Sequence, residues 1–379
     1  MDLREPEHVR MIRDSVRAFV ARAASREDAR AWDRADETPR AVFEALAKTG
    51  VCGLTIPEKH GGAGADIVAA MAVIEELSRR SLALAVPYIM CACYGGMNIA
   101  AAGSEAQKRA LLPRLAKGEL LFAYGLTEPD AGADLAMVRT RAQRRGERIV
   151  VDGAKRFCTG AAIADTIYAL VRSDAAAPKY KNLSFVLIPR TAKGVTVTRM
   201  EGMGMRGASL CDVIFEDVDL PADAVVGEEA GWNRGWAMLA GPALDVEKLE
   251  VAAMALGLAT AALDEAWDYA KTRTQFGVAI SAHQAVRHAL AENRTQLLAA
   301  RLVLAHAAGL AGAGRPCGVE SSMAKLFVSE TAEKVVLSCQ RVMGAYGCVV
   351  GSDMERAVRD ILVFNIAGGS SNIQKNNIA

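Results

Sequence analysis

Four short stretches of the 379-residue chain carry side chains whose types and spacing could do chemistry. The first is Tyr124-Gly125-Leu126-Thr127-Glu128-Pro129-Asp130-Ala131-Gly132-Ala133-Asp134. Its small residues leave backbone N–H groups approachable by an anionic ligand; an ordinary Gly/Asp turn would read the same. The second, Lys155-Arg156-Phe157-Cys158-Thr159-Gly160, sets a flat ring beside a hydroxyl, as a planar ligand would need. A core Phe and an edge Thr on a strand would also fit. The third, Arg273-Thr274-Gln275-Phe276-Gly277, offers a planar fork of donors suited to phosphate, or a solvated Arg at a helix end capped by Gly277. The fourth, Leu244-Asp245-Val246-Glu247-Lys248-Leu249-Glu250, places carboxylates at the head of an Ala/Leu-rich run. A carboxylate in a dry pocket can take a proton, because desolvation raises its pKa. A first-turn acid that complements the helix dipole is the plainer reading.

Three zones of different texture must position these stretches. Residues 1–118 read as helices: Val9, Ile12, Val16, Phe19 and Val20 recur at helical spacing, and Pro39–Gly50, Asp66–Ser81 and Glu105–Lys117 follow suit. Residues 119–228 change period, with short apolar or alternating runs (LLFAYGLT, RIVVDG, TIYALVRS, LSFVLIP, GVTVTRM, LCDVIFEDVDLP) punctuated by Gly, Pro, Asp and Lys. Residues 229–379 return to helices: about Pro242 to Thr272, His283 to Gly312, Val319 to Val342 and Asp353 to Phe364. Long helices with short Gly-containing links predict a four-helix bundle. The expected class is α+β: an N-terminal α-helical domain, a middle β-barrel-like domain and a C-terminal four-helix bundle. GMGMRG is no dinucleotide fingerprint, since no strand–turn–helix surrounds it.

Composition narrows the function. The formal charge of +1 and the lack of a basic patch point away from nucleic acid and anionic membrane surfaces. No apolar run is expected to approach the ~20 residues needed to span a bilayer. The charged, helix-patterned start MDLREPEHVRMIRDSVRAFV does not read as a secretory signal. Eight scattered cysteines form no CxxC pair, so buried reduced thiols in a cytoplasmic protein are expected. His283 and His288 lack a Cys pair or third ligand, so no metal site is expected.

Taken together, the motifs resemble those of the acyl-CoA dehydrogenase family, in the same order along nearly the whole chain. Tyr124–Asp134 is similar to the family's TEPxAGSD loop, with Ala133 where Ser is usual, and Lys155–Gly160 to its K-x-[WF]-I-T-N segment. Met203–Gly207 followed by VIFEDVDLP resembles its GxRG-to-FxxVxVP stretch, Arg273–Gly277 with Gln284 its R-x-x-F-G … Q pattern, and Arg341–Gly347 its Q-V-x-G-G-x-G turn. Ile366–Lys375 resembles its YEGTSxIQR terminus. The resemblance implies FAD held by Tyr124, Leu126, Thr127, Gly132, Ala133, Phe157, Thr159, Ser370 and Asn372. It also implies that Arg273, Phe276, Gln284, Arg341 and Gly344 reach the FAD of a neighbouring subunit in a homotetramer or homodimer. Ala133, Asp245 and Lys248 would meet substrate.

The reaction so implied is α,β-dehydrogenation of an acyl-CoA thioester: a carboxylate takes the α-proton and flavin N5 the β-hydride. In many members the carboxylate lies in the terminal motif, where this chain has Gly368. A minority, the isovaleryl-CoA dehydrogenases among them, carry it in a segment like LDLERL, and Glu247 falls on that glutamate. Glu250, one turn on, is the reserve. Gly368 would keep one role, its N–H bonding the thioester carbonyl. A short- or branched-chain acyl-CoA dehydrogenase feeding an electron-transfer flavoprotein is the leading expectation. A dehydrogenase of a carrier-protein-bound aminoacyl or prolyl group, an oxidase, and a non-catalytic flavoprotein relative are the alternatives.

Overall fold

The computed structural model describes residues 5–379; residues 1–4, the head of the first expected helical zone, lie outside the described residues. The N-terminal zone holds α1 (Glu7–Ala23), α2 (Arg26–Ala35), α3 (Arg40–Ala47), α4 (Ile67–Arg80), α5 (Leu82–Ile89), α6 (Asn98–Ala102) and α7 (Glu105–Ala116). Helix α1 buries Val9, Val16 and Val20, three of the five residues on its expected stripe. Capping boxes start α2 at Ser25 and Asp28 and α7 at Ser104 and Gln107, each satisfying N–H groups that a helix start leaves free.

A π-helical stretch, Met90–Met97, joins α5 to α6. The whole run Leu82–Ala102 lacks charge and reaches 21 residues, which corrects the expectation that no apolar run approaches bilayer-spanning length. Most of its residues are buried in the fold, between the other zones, as in a core helix.

The middle zone is a curled mixed sheet of β1 (Phe122–Gly125), β2 (Arg141–Arg145), β3 (Arg148–Lys155), β4 (Thr166–Arg172), β5 (Leu183–Pro189), β6 (Val195–Arg199) and β7 (Cys211–Pro221), ordered β1-β4-β2-β3-β7-β6 with β5 also on β4. Strand β1 runs parallel to β4, Phe122 opposite Thr166, and β3 pairs antiparallel with β7 across a bulge between Val151 and Gly153. Strand β2 is an addition to the runs read from the sequence.

The C-terminal zone holds α8 (Glu228–Gly231), α9 (Gly235–Met238), α10 (Leu244–Thr272), a two-strand ladder of β8 (Thr274–Gln275) and β9 (Val278–Ala279), then α11 (Gln284–Gly312), α12 (Gly318–Met343), α13 (Asp353–Ile361) and α14 (Ser371–Ile378). Helices α10, α11 and α12 pack on one another, and α4 packs along α10. Gly257 makes that approach possible: a Cβ there would lie 2.2 Å from the Glu75 carbonyl oxygen. Thus α10 is covered by both helical zones, and one apolar core runs through all three. On α4, the buried Glu75 and Glu76 each accept a 2.9 Å hydrogen bond from Arg13 of α1.

Candidate active site

Two loops of the sheet are locked together. The Arg156 N–H donates to the Thr127 carbonyl at 2.8 Å. Beneath them the fully buried Lys155 ammonium donates to Leu126 O at 3.1 Å and to Glu128 Oε1 at 2.8 Å. Glu128 also accepts the N–H groups of Arg139 (2.6 Å) and Thr140 (2.9 Å). Burial alone would raise the Glu128 pKa, but Lys155 and these donors outweigh it and hold it below its ordinary value. Sequence reasoning quoted both residues only as motif letters. The signal available was parity: Lys155 falls on the inward side of β3 with Ile149 and Val151.

Past this clamp the chain turns Phe157 outward. Its φ is +57°, a conformation unfavourable for a non-glycine residue, and its ring is 54% exposed with the Arg156 guanidinium 5.4 Å from the ring centre. The flanks hold it there: Cys158 N–H donates to Cys211 O at 2.8 Å, and Gly160 N–H to Ala208 O at 2.9 Å. Gly160 has φ +80°, which glycine adopts without strain, and a Cβ would press on the flexible Met90 side chain, 2.2 Å from its Sδ. Thr159 is half-buried beside Phe157, while Gly132 and Ala133 stand exposed on the other loop with open space around Gly132. An outward ring, a neighbouring hydroxyl and an open small-residue loop fit a planar cofactor with an anionic tail.

The start of α10 supplies carboxylates. Before it, Ala240 and Gly241 break the helical backbone. Glu247 is half-buried, yet its Oε2 is closed off from solvent and unpartnered. Burial, eased by Lys248, raises its pKa to about 7. Tyr94 and Tyr124 stack with ring centres 4.0 Å apart, both near Glu247, and Asn98 Nδ2 donates to the Tyr124 hydroxyl at 2.5 Å. Lys248 turns inward instead, bonded to Asp245 Oδ1 at 3.0 Å and to Gly318 O and Ser321 Oγ at 3.4 Å.

The terminal segment closes over the same helix. Gly368 has φ +64° and packs so closely that a Cβ would lie 2.9 Å from Val251 Cγ2, one turn from Glu247. Gln374 Nε2 donates to the carbonyls of Gly368 (3.0 Å) and Gly369 (2.9 Å), and the buried Lys325 donates to Gly369 O at 2.8 Å. The Gly368 N–H donates to no carbonyl of the described residues. Ser370 caps α14 by accepting the Ile373 N–H at 3.4 Å, and Asn372 is exposed. Lys325, whose ammonium ties α12 to this segment, is a contact that sequence reasoning passed over.

The remaining residues sit at the other end of α10. Arg273 lies over the Tyr346 ring at 5.7 Å, next to Gly344, and Phe276 is 94% exposed with φ +55°. Gln284 and Arg341 are exposed there too. The 29 residues of α10 span roughly 40 Å at ~1.5 Å per residue. This second cluster therefore cannot touch a group held at Glu247 of the same chain.

Comparison with known proteins matches residues 6–119 to the model of the acyl-CoA dehydrogenase N-terminal domain, 123–218 to the middle domain and 233–379 to the C-terminal domain. An acyl-CoA dehydrogenase of Bacillus subtilis is 36% identical over 97% of this chain and 94% of its own. A subunit of the caffeyl-CoA reductase–Etf complex of Acetobacterium woodii is 32% identical over 97% of this chain and 96% of its own. The structure of butyryl-CoA dehydrogenase from Megasphaera elsdenii superposes with a TM-score of 0.95 at 27% identity, covering 100% of this chain and 98% of that one.

Proposed function

Because the chain belongs to the acyl-CoA dehydrogenase family of FAD oxidoreductases, we propose that it desaturates a short- or branched-chain acyl-CoA with Glu247 as the base. The observation that carries this reading is the pairing of Glu247 with Gly368. A half-buried carboxylate whose Oε2 is closed off from solvent and unpartnered lies one turn from the point where the terminal segment, which has no carboxylate at Gly368, closes on α10.

Bound FAD supplies the acceptor for the β-hydride. Around it, Thr127, Phe157 and Thr159 would hold the flat ring, and the open loop at Gly132 and Ala133 would take the anionic part. Ser370 and Asn372 would approach from the terminal segment. The Gly368 N–H, with no carbonyl partner, is free to bond the thioester oxygen and acidify the α-proton. Glu247 then takes that proton. With a pKa of about 7 it is ionised in a large fraction of molecules at neutral pH and is a better base than a solvated carboxylate.

The exposed cluster of Arg273, Phe276, Arg341 and Gly344 supports assembly into a homotetramer, each copy completing its neighbour's FAD site. An electron-transfer flavoprotein is the acceptor we propose, by analogy with the Acetobacterium relative, which is a subunit of an Etf complex. Eight free cysteines suit a reducing cytoplasm. A second reading, an aminoacyl or prolyl group on a carrier protein, draws support from Lys248, whose ammonium is committed to Asp245 and α12 rather than to a CoA phosphate. The test is anaerobic mixing of the FAD-loaded protein with acyl-CoAs and carrier-bound acids while flavin absorbance is followed. Bleaching by a short acyl-CoA is expected. Bleaching by carrier-bound acids alone would transfer the assignment to the second reading, and retention of bleaching in Glu247→Gln would remove Glu247 as the base.

A further inference from the structure

One turn beyond Glu247 lies a second carboxyl that this reaction does not use. Glu250 is 1% exposed, and neither of its oxygens has an N–H or O–H donor among the described residues; the Cys93 thiol, a weak donor, is its hydrogen-bonding neighbour. The Cys93 thiol of the π-helical stretch stands beside it, and Tyr94 and Tyr124 are near both it and Glu247. Two more buried atoms of this region are also unpartnered: the Tyr88 hydroxyl, another neighbour of Glu250, and Oδ1 of Asn98, whose amide nitrogen holds Tyr124. The arrangement is layered. Tyr94, Tyr124 and Glu247 keep part of their surface open, while Glu250, Cys93, Tyr88 and Asn98 are buried.

A buried carboxyl without a partner is unfavourable in either protonation state. Water can satisfy it while the site is empty. An aliphatic acyl chain that displaces that water leaves it unpaired, whereas a chain bearing a donor pairs it. Side chains three residues apart on a helix have Cβ atoms about 5–6 Å apart, which sets how far the donor must lie from the α-carbon at Glu247. An anionic acyl terminus is disfavoured, since it would face two carboxyl groups.

We propose that Glu250 is a specificity-determining residue that selects acyl groups carrying a hydrogen-bond donor (a hydroxyl, amide or amine) roughly two to four bonds beyond the carbon that loses its proton. This inference rests on Glu247 being the base of an acyl-thioester dehydrogenase.

The test uses the FAD-loaded protein and two CoA thioesters of nearly equal shape, 4-hydroxypentanoyl and 4-methylpentanoyl, with the second-order rate of anaerobic flavin reduction as readout. The wild type should favour the hydroxylated member by on the order of 10-fold or more, because a site built around a polar group rejects an analogue that leaves it unpaired. Glu250→Leu should lower that ratio at least about 10-fold, and Glu250→Gln, still polar, should keep most of it. A wild-type preference for the methyl member, or an unchanged ratio in Glu250→Leu, overturns the proposal. If the Leu variant does not fold with FAD bound, the wild-type ratio and the Gln variant decide. Loss of reduction by both thioesters in Glu250→Gln, with reduction retained in Glu247→Gln, would make Glu250 the base and also overturn it. If other acyl-CoAs bleach the flavin and neither of these does, the selectivity is wrong but the reaction stands. If no acyl thioester bleaches it, the reaction itself is wrong and the selectivity falls with it.

Discussion

The two ends of α10 solve opposite problems. At its start Glu247 is half-buried among Tyr94, Tyr124 and the terminal segment with its Oε2 shielded from water, and burial pushes its pKa to about 7. At its end Arg273 and Phe276 stand in solvent, Phe276 94% exposed on a left-handed backbone. Desolvation tunes a group that moves a proton; exposure cannot. An exposed ring held in a strained conformation makes sense where another surface covers it. Under the proposed function the helix would join a chemical end to a docking end roughly 40 Å away, and in an assembly of copies the docking end of one would serve the chemical end of another.

The largest expected effect lies at the chemical end. Glu247→Gln should slow flavin reduction by acyl-CoA by roughly 10²–10⁴-fold, the usual contribution of a positioned base, while FAD per subunit stays at the wild-type level. Stopped-flow absorbance measures both. Loss of FAD together with rate would mean that Glu247 holds the fold rather than the proton.

Arg273→Ala should behave in the reverse way. Removing a charged hydrogen-bonding partner of a phosphate costs about 1.5–3 kcal/mol, so FAD should dissociate some 10- to 100-fold more readily. The rate per bound flavin should stay near wild type. At FAD concentrations too low to load Arg273→Ala alone, mixed oligomers of Glu247→Gln and Arg273→Ala copies should then retain flavin and show activity that neither has alone. Absence of recovery, with mixing verified by mass spectrometry, would show that the far end serves no neighbour.

A smaller effect is expected from Lys325, whose ammonium holds Gly369 O at 2.8 Å and whose pKa burial lowers to about 8. Lys325→Met frees the segment that carries Gly368. It should raise KM and lower kcat together by about 10-fold, the size of one lost hydrogen bond to a charged group, with FAD content little changed. Lys325→Arg, which keeps a donor, should restore part of the rate if the anchor is what matters.

How much of this was legible in the chain depends on where contrast survives. The three zones showed because their periods differ. Strand β2 did not, since of Arg141–Arg145 only Ala142 is buried, and its exposed charged residues hide the alternation. The run Leu82–Ala102 is apolar all round, so no stripe marks it as a helix, and its π-helical stretch breaks the period further. Helix α10 is similar: buried on nearly every side, it gives no stripe to say which of Glu247 and Glu250 keeps access to solvent. Lys155 and Glu128 pair across 27 residues of sequence, a distance only the fold closes. Gly368, by contrast, was informative as a letter, because a residue without a side chain cannot be the base wherever it sits.

The smallest effect is also the most discriminating between the two ends. A base must be deprotonated to act, and burial has raised the Glu247 pKa, so kcat/KM for flavin reduction should rise with pH up to about 7 and level off above it. Lys248 lies beside Glu247 and lowers its pKa, though less than burial raises it. Lys248→Met removes that cation, so more molecules hold the proton at a given pH. The acidic limb should move to higher pH by about 0.3–1 unit, less than the ~1.4 kcal/mol of a full unit. Arg273→Ala, at the docking end, should leave the limb where it is, since charge effects are screened within about 10 Å in ordinary buffer. A limb that follows Arg273 and ignores Lys248 would mean that the titrating group is not on the first turn of α10. The contrast between the ends would then have to be drawn elsewhere.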